Sequence, residues 1–258
     1  DKARSIEEVA GLRQVLALIY SQADQMFPLT ERDLRGLHQE LLQYYPEASH
    51  YRGQYKTSPN SVVEQVGGQI TREVFRTADP GPMTDVAMAQ LISWYNSLLP
   101  EFVWSYSVVC EFVYRFLAIH PFQDGNGRLG RALFHLGLLQ SPDKNLRYLA
   151  PFLALDRYVE QNRAEYYVVL RRCSGGIYKE DPQEYDIQLF LKFMLKILEL
   201  AVSKGIDHYL QKNELFRSLS DSLQRVLSCF QNHPEKSLSV KDIEVELEVE
   251  IFDINVER

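Results

Sequence analysis

The stretch from Val103 to Ile119 constrains this chain most. Its apolar side chains, among them Trp104, Tyr106, Val109, Phe112, Phe116 and Ile119, fall on every face of a helix. A surface helix needs one apolar stripe, whereas a helix that is apolar all round belongs in the centre of a domain. The stretch stops at His120-Pro121. The chain then turns through Asp124-Gly125-Asn126-Gly127 and enters a second helix, with Leu129, Leu133, Leu136 and Leu139 on one side and Pro142 at its end. An imidazole is thereby expected where the core gives way to a glycine-rich turn.

The remaining segments read as helices placed around this centre. Val9, Leu12, Val15, Leu16 and Ile19 form a helical stripe within Ile6 to Met26, before Pro28. Thr30 is a fitting N-cap for a helix running to about Tyr45. Val62-Val63 and Val74-Phe75 flank Gly67-Gly68 and signal a β-hairpin. Thr84 is expected to open a helix ending near Pro100, and further helices are expected at 156–172, 186–202 and 215–231. Of the 258 residues 45% are hydrophobic, enough for an ordinary core. Cys110, Cys173 and Cys229 lie far apart beside apolar neighbours and read as buried free thiols, which suits a reducing cytoplasm. No apolar run is long enough to cross a membrane. A net charge of -7 argues against nucleic acid as the main partner. The chain begins at Asp1 with no signal stretch, and reads as a trimmed or partial product.

The turn itself carries chemistry. Gly125 and Gly127 let backbone N–H groups approach a ligand, and the free N–H groups and positive dipole end of the following helix face the same space. Such a turn binds phosphate. Arg128 and Arg131 are three apart and are expected to project towards one region, each able to clamp phosphate oxygens with two donors. Asp124 beside a polyanion calls for a cation between them, and Mg²⁺ on one carboxylate plus phosphate oxygens is the usual arrangement. His120, with an ordinary pKa near 6.5, is a natural base for a hydroxyl.

The segment from His120 to Arg131 resembles the signature of the Fic family, His-x-Phe-x-Asp/Glu-Gly-Asn-Gly-Arg-x-x-Arg, at every fixed position: His120, Phe122, Asp124, Gly125, Asn126, Gly127, Arg128 and Arg131. Leu129 and Gly130 lie inside the same expected nucleotide-binding set. Residues 53–59 look like the run into that family's β-hairpin flap, and Tyr166-Tyr167 like its adenine-pocket tyrosines. The resemblance implies a mainly α fold: a Fic-type helical bundle with a flap near 55–76. It also implies transfer of AMP from ATP, with Mg²⁺ on Asp124, to a Ser, Thr or Tyr hydroxyl of a target protein or of the chain itself. His120 would be the base, Gly125, Asn126 and Gly127 the anion hole, and Arg128 and Arg131 the clamp on the outer phosphates. Phe122 would pack beneath the loop, and Ser61, Val62 and Val63 would align the target as an added strand. A branch that phosphorylates its targets has Ala and Lys in place of the loop glycines, and that contrast favours AMP transfer.

Ser5-Ile6-Glu7-Glu8 resembles a divergent copy of the family's inhibitory helix, with Glu7 as the brake and Arg131 its partner; first-turn acids favoured by the helix dipole are the alternative. The expected division is N-terminal helices over 1–50, a catalytic core over 51–204 and a small winged-helix-like unit over 205–258. In that last part acidic residues outnumber basic ones 11 to 6, so a packing or protein-contact role is favoured over DNA. Two other readings remain open: a hydrolase that removes AMP, and a silent Fic-fold regulatory protein. A homodimer is left open.

Overall fold

The computed structural model describes residues 2–66, 69–218, 221–233 and 237–247. In the first unit, Asp1–Val202, helices pack around one buried helix. Helices α1 (Lys2–Gln22) and α2 (Glu31–Leu41) precede a hairpin, β1 (Ser61–Val66) and β2 (Gln69–Arg76). Then come α3 (Pro82–Leu98), α4 (Ser105–Ile119) and α5 (Asn126–Gln140), followed by α6 (Lys144–Leu149), α7 (Leu155–Gln161), α8 (Arg163–Arg172) and α9 (Ile187–Ser218), of which the residues up to Val202 belong to this unit.

Helix α4 is the expected central helix, and all but Ser107 and Glu111 of its residues are buried. Its rings interlock with those of its neighbours: Phe112 against Tyr95 of α3 at 4.3 Å, Tyr114 against Phe190 of α9 at 5.4 Å. Tyr106 meets Phe134 of α5 edge-on at 5.6 Å. Each such buried side chain contributes about 1.5–3 kcal/mol through apolar area removed from water. Val103 and Trp104, counted with this helix on hydrophobicity alone, precede it and are exposed.

Around this centre several boundaries differ from expectation. Thr30 caps α2 as a reciprocal capping box with Asp33, but the helix ends at Leu41. Thr84 does not open α3. It lies inside the first turn, donating to the Asp79 carbonyl at 2.7 Å, and Gly81 is the N-cap with Pro82 in the first helical position. The helix expected over 156–172 is two helices, broken at Asn162, which ends α7 and starts α8. The hairpin pairs Ser61 with Arg76 and Val62 with Phe75, with register shifts after Val62 and Glu64. Its expected turn, Gly67-Gly68, lies outside the described residues. Cys110, Cys173 and Cys229 are buried free thiols, and among the described residues no helix is long and apolar enough to cross a membrane.

Helix α1 packs on α5 and α2. Gly11 makes this possible, because a Cβ there would stand 2.0 Å from the Leu41 carbonyl oxygen. The second unit, Ser203–Arg258, contains α10 (Asp221–Asn232) packed on α11 (Val240–Leu247). Cys229 and Ile243 are buried within it, and Ser239 caps α11 in exchange with Asp242.

Candidate active site

Helix α4 ends where it does because Pro121 cannot donate to the helix ladder and disfavours helical backbone in the residue before it. His120 takes a left-handed conformation instead, with φ 54° and ψ 59°, as the helix C-cap. It is the one non-glycine residue with positive φ among those described. Its Nδ1–H donates to the Leu117 carbonyl at 3.1 Å, which leaves Nε2 as the basic nitrogen. Burial, assisted by the charge of Lys56, lowers its pKa to about 4 against the opposing pull of the Leu117 bond and Asp124. The imidazole is therefore neutral at pH 7.

The loop after it is built by its own side chains. Phe122 is fully buried and stacks flat on His38 of α2, ring centroids 3.8 Å apart. Asn126 is also buried, and its amide closes the loop on itself, donating to Phe122 O at 2.7 Å and accepting from Phe122 N at 2.9 Å. The Asn126 side chain is thus a staple of the loop and not part of an anion hole; only its backbone N–H belongs to the helix end. Gly125, with φ 81°, is the N-cap of α5 and supplies no side-chain cap, so the first N–H groups of α5 are left for a ligand. Asp124 Oδ1 accepts from Gly125 N at 2.6 Å. His38 locks this arrangement from below: its Nδ1 accepts from Gly53 N at 2.8 Å, so its Nε2–H donates to Asp124 O at 2.9 Å. Burial holds the pKa of His38 at about 4 as well.

The two arginines do not point to one place. Arg131 lines a cavity of about 70 Å³ together with His120 and Gly127 of the motif, Val62 and Phe75 of the hairpin, and Tyr166 and Tyr167 of α8. Its Nε donates to Asp156 at the start of α7. Arg128 lies between Asp124 and Glu8, 3.4 Å from each carboxylate. The expected partnership of Glu7 with Arg131 is therefore not formed: the turn of α1 brings Glu8 to α5, and the acid on Arg131 is Asp156. Leu129 and Gly130 belong to the expected nucleotide-binding set as well, and both face inward. Both are buried, Gly130 directly against Leu117 of α4, because the helical period turns this side of α5 into the core. Tyr166 is buried against Phe190 and Phe193, with Tyr167 beside it at 5.8 Å. Ser61, Val62 and Val63 form the start of β1, which pairs with β2 alone among the described strands.

Asp124 is the acidic side chain at the loop, and no cluster of three metal-ligating side chains occurs among the described residues. That donor set suits a hard cation that arrives already on phosphate oxygens rather than one held by the protein alone. Sequence periodicity did not single out His38, Lys56, Asn60 or Asp156. A histidine among Leu34, Leu37 and Leu41 on the buried face of α2 was the one available signal.

The sequence pattern of the Fic/DOC family matches residues 28–138. A Fido domain-containing protein of Dictyostelium discoideum is 32% identical over 120 residues, covering 42% of this chain and 81% of that protein. A protein adenylyltransferase Fic of Drosophila willistoni is 25% identical over 203 residues, covering 79% of this chain but 34% of that protein, so this chain spans about a third of its length. A solved Fic family protein from Desulfovibrio desulfuricans, 24% identical, superimposes with a TM-score of 0.57 over 90% of this chain and 61% of the other.

Proposed function

This chain belongs to the Fic/DOC family, and from that premise we propose that it moves AMP from ATP to a hydroxyl side chain of a target protein. The observation that carries the reading is a neutral imidazole, fixed beside an uncapped glycine-rich helix start, on the same cavity as Arg131, Tyr166 and Tyr167. The Drosophila relative's name supports the same chemistry.

His120 Nε2 takes the proton as the target oxygen forms its bond to the α-phosphorus. The bond from that phosphorus to the bridging oxygen breaks, and pyrophosphate leaves. Asp124 would hold a Mg²⁺ ion arriving with the nucleotide, which would supply charge neutralisation for the departing group. The α5 N-terminus, Gly125 to Gly127, holds phosphate oxygens, and Arg128 and Arg131 balance the outer charge. Positioning and electrostatics do most of the work in such transfers. Val62 and Phe75 bring the hairpin to the cavity, and the outer edge of β1 receives the target's backbone as an added strand.

The site as it stands is restrained. A cavity of about 70 Å³ is well below the roughly 300–1,000 Å³ of small-molecule sites, and both arginines are engaged by acids. Seating the nucleotide requires Glu8 to leave Arg128, so we assign the brake to Glu8 of α1. Incubation with Mg²⁺ and ATP labelled at the α-phosphate tests the reading: label enters protein with Glu8→Gln and none enters with His120→Ala. Label that leaves a pre-modified target instead supports the hydrolase, and label in no variant supports the silent regulator.

A further inference from the structure

The residues leading into the hairpin hold the loop that carries the base. Lys56 is buried, 3% exposed. Its ammonium has three donors and meets three acceptors: Asn60 Oδ1 at 2.8 Å, Thr77 Oγ1 at 3.0 Å and Ile119 O at 2.9 Å. Its backbone N–H donates to Pro121 O at 2.8 Å. The Asn60 amide donates to Phe122 O at 2.7 Å and reaches His120 O at 3.3 Å. Four consecutive carbonyls, Ile119 to Phe122, are thus met by two residues. The first two, of Ile119 and His120, are among the carbonyls that a helix end leaves without partners, and the four straddle a left-handed non-glycine residue that its own preference would not hold.

The clamp also reaches the hairpin. Asn60 immediately precedes β1 and Thr77 immediately follows β2, and the Thr77 hydroxyl lies within 2.8 Å of the Asn60 carbonyl. Both roots of the hairpin therefore converge on the ammonium that grips the end of α4. Burying that ammonium is costly, and desolvation lowers its pKa to about 8 despite Asp79. An apolar side chain of the same length would fill the space without this cost. What the cation supplies, and an apolar side chain lacks, is several donors at one point.

We propose that Lys56 and Asn60 are positioning residues for the transfer: they hold His120 in its left-handed conformation and join it to both roots of the hairpin, so that a target strand on β1 is registered at the base. The proposal rests on the AMP-transfer reading above.

The test uses the full chain with Lys56→Met, Asn60→Ala and the conservative Lys56→Arg. Three quantities are measured: the dissociation constant for MgATP, the single-turnover transfer rate, and the ¹³C shifts of labelled His120, which report its backbone angles. Lys56→Met and Asn60→Ala are expected to slow transfer by roughly ten- to a hundredfold, to leave the MgATP constant within about threefold, and to move the His120 shifts. Lys56→Arg is expected to recover most of the rate. Unchanged rates and shifts overturn the proposal. So does a rate loss matched by an equal loss of MgATP affinity and thermal stability, which marks a merely structural role. If the wild-type chain and Glu8→Gln transfer nothing, the AMP-transfer reading fails, and the clamp is then decided by the His120 shifts alone: displaced shifts support it and unmoved shifts overturn it.

Discussion

Replacing Glu8 by Gln probes the restraint on Arg128, because it removes one charge and keeps the shape. Two unit charges 3.4 Å apart attract by about 5 kcal/mol at an effective dielectric of about 20. That figure has to be discounted heavily. The Glu8 side chain is 36% exposed and that of Arg128 15%, and solvent-exposed pairs of this kind contribute about 0.2–1 kcal/mol when measured. At the upper end, 1 kcal/mol is about a fivefold change in an equilibrium constant. Glu8→Gln should therefore tighten MgATP binding roughly 1.4- to fivefold by calorimetry, with a gain that shrinks as salt is added. Glu7→Gln, one residue away, should leave the constant unchanged within error. If Glu7→Gln gives the gain and Glu8→Gln does not, the pairing described here is wrong.

Two further outcomes follow from the loop. Gly125→Ala forces a side chain into left-handed backbone at φ 81° and sets its Cβ 3.2 Å from Leu41 Cδ2, at a cost of about 1–2 kcal/mol. Calorimetry should show a fall of several degrees in Tm, and an unchanged Tm refutes the strain. The acid limb of kcat/KM reports the base in the free enzyme. His120 acts neutral and its pKa is lowered to about 4, so activity should persist below pH 6 and be lost only as pH falls towards 4, with circular dichroism confirming that the chain stays folded. A limb centred on the ordinary histidine value would refute the burial of this imidazole.

How much of this was legible in the sequence depends on what each signal encodes. Periodicity found α4 and the stripe of α5, because a central helix and its neighbour are specified by apolar positions alone. It overran at Val103 and Trp104, since hydrophobicity does not mark the backbone turn that precedes Ser105. It also ran α7 into α8, because Asn162 carries no proline or glycine to announce the break. The motif gave the loop, but not the facing of its members: Leu129 and Gly130 are neighbours of both arginines in sequence and lie on the buried side of the same helix. Glu7 and Glu8 differ by one residue, about 100° around α1, and only the docking of Gly11 on Leu41 decides which acid meets α5. The clamp was out of reach altogether, since a hydrogen bond from Lys56 to a carbonyl sixty-three residues away leaves no pattern along the chain.

The same magnitudes limit what kind of brake this can be. Besides Asp124 of the loop itself, two acids from other helices sit on the two arginines, Glu8 on Arg128 and Asp156 on Arg131, and each pair, partly exposed, is worth at most about 1 kcal/mol. Together they can withhold about 2 kcal/mol, or roughly thirtyfold in nucleotide affinity. Charge pairing alone therefore grades the activity and does not abolish it. A complete shut-off has to come from the helix as a body. Helix α1 is held against α5 and α2 by Val15 and Ile19, both fully buried, and by Tyr20 on His135 at 3.2 Å. Burying two aliphatic side chains of this size contributes about 3–6 kcal/mol, several times the one charge pair with Arg128 that it carries. Whatever releases this site in full must act on that apolar seat, and Glu8 then sets only how tightly the seated helix competes with the nucleotide.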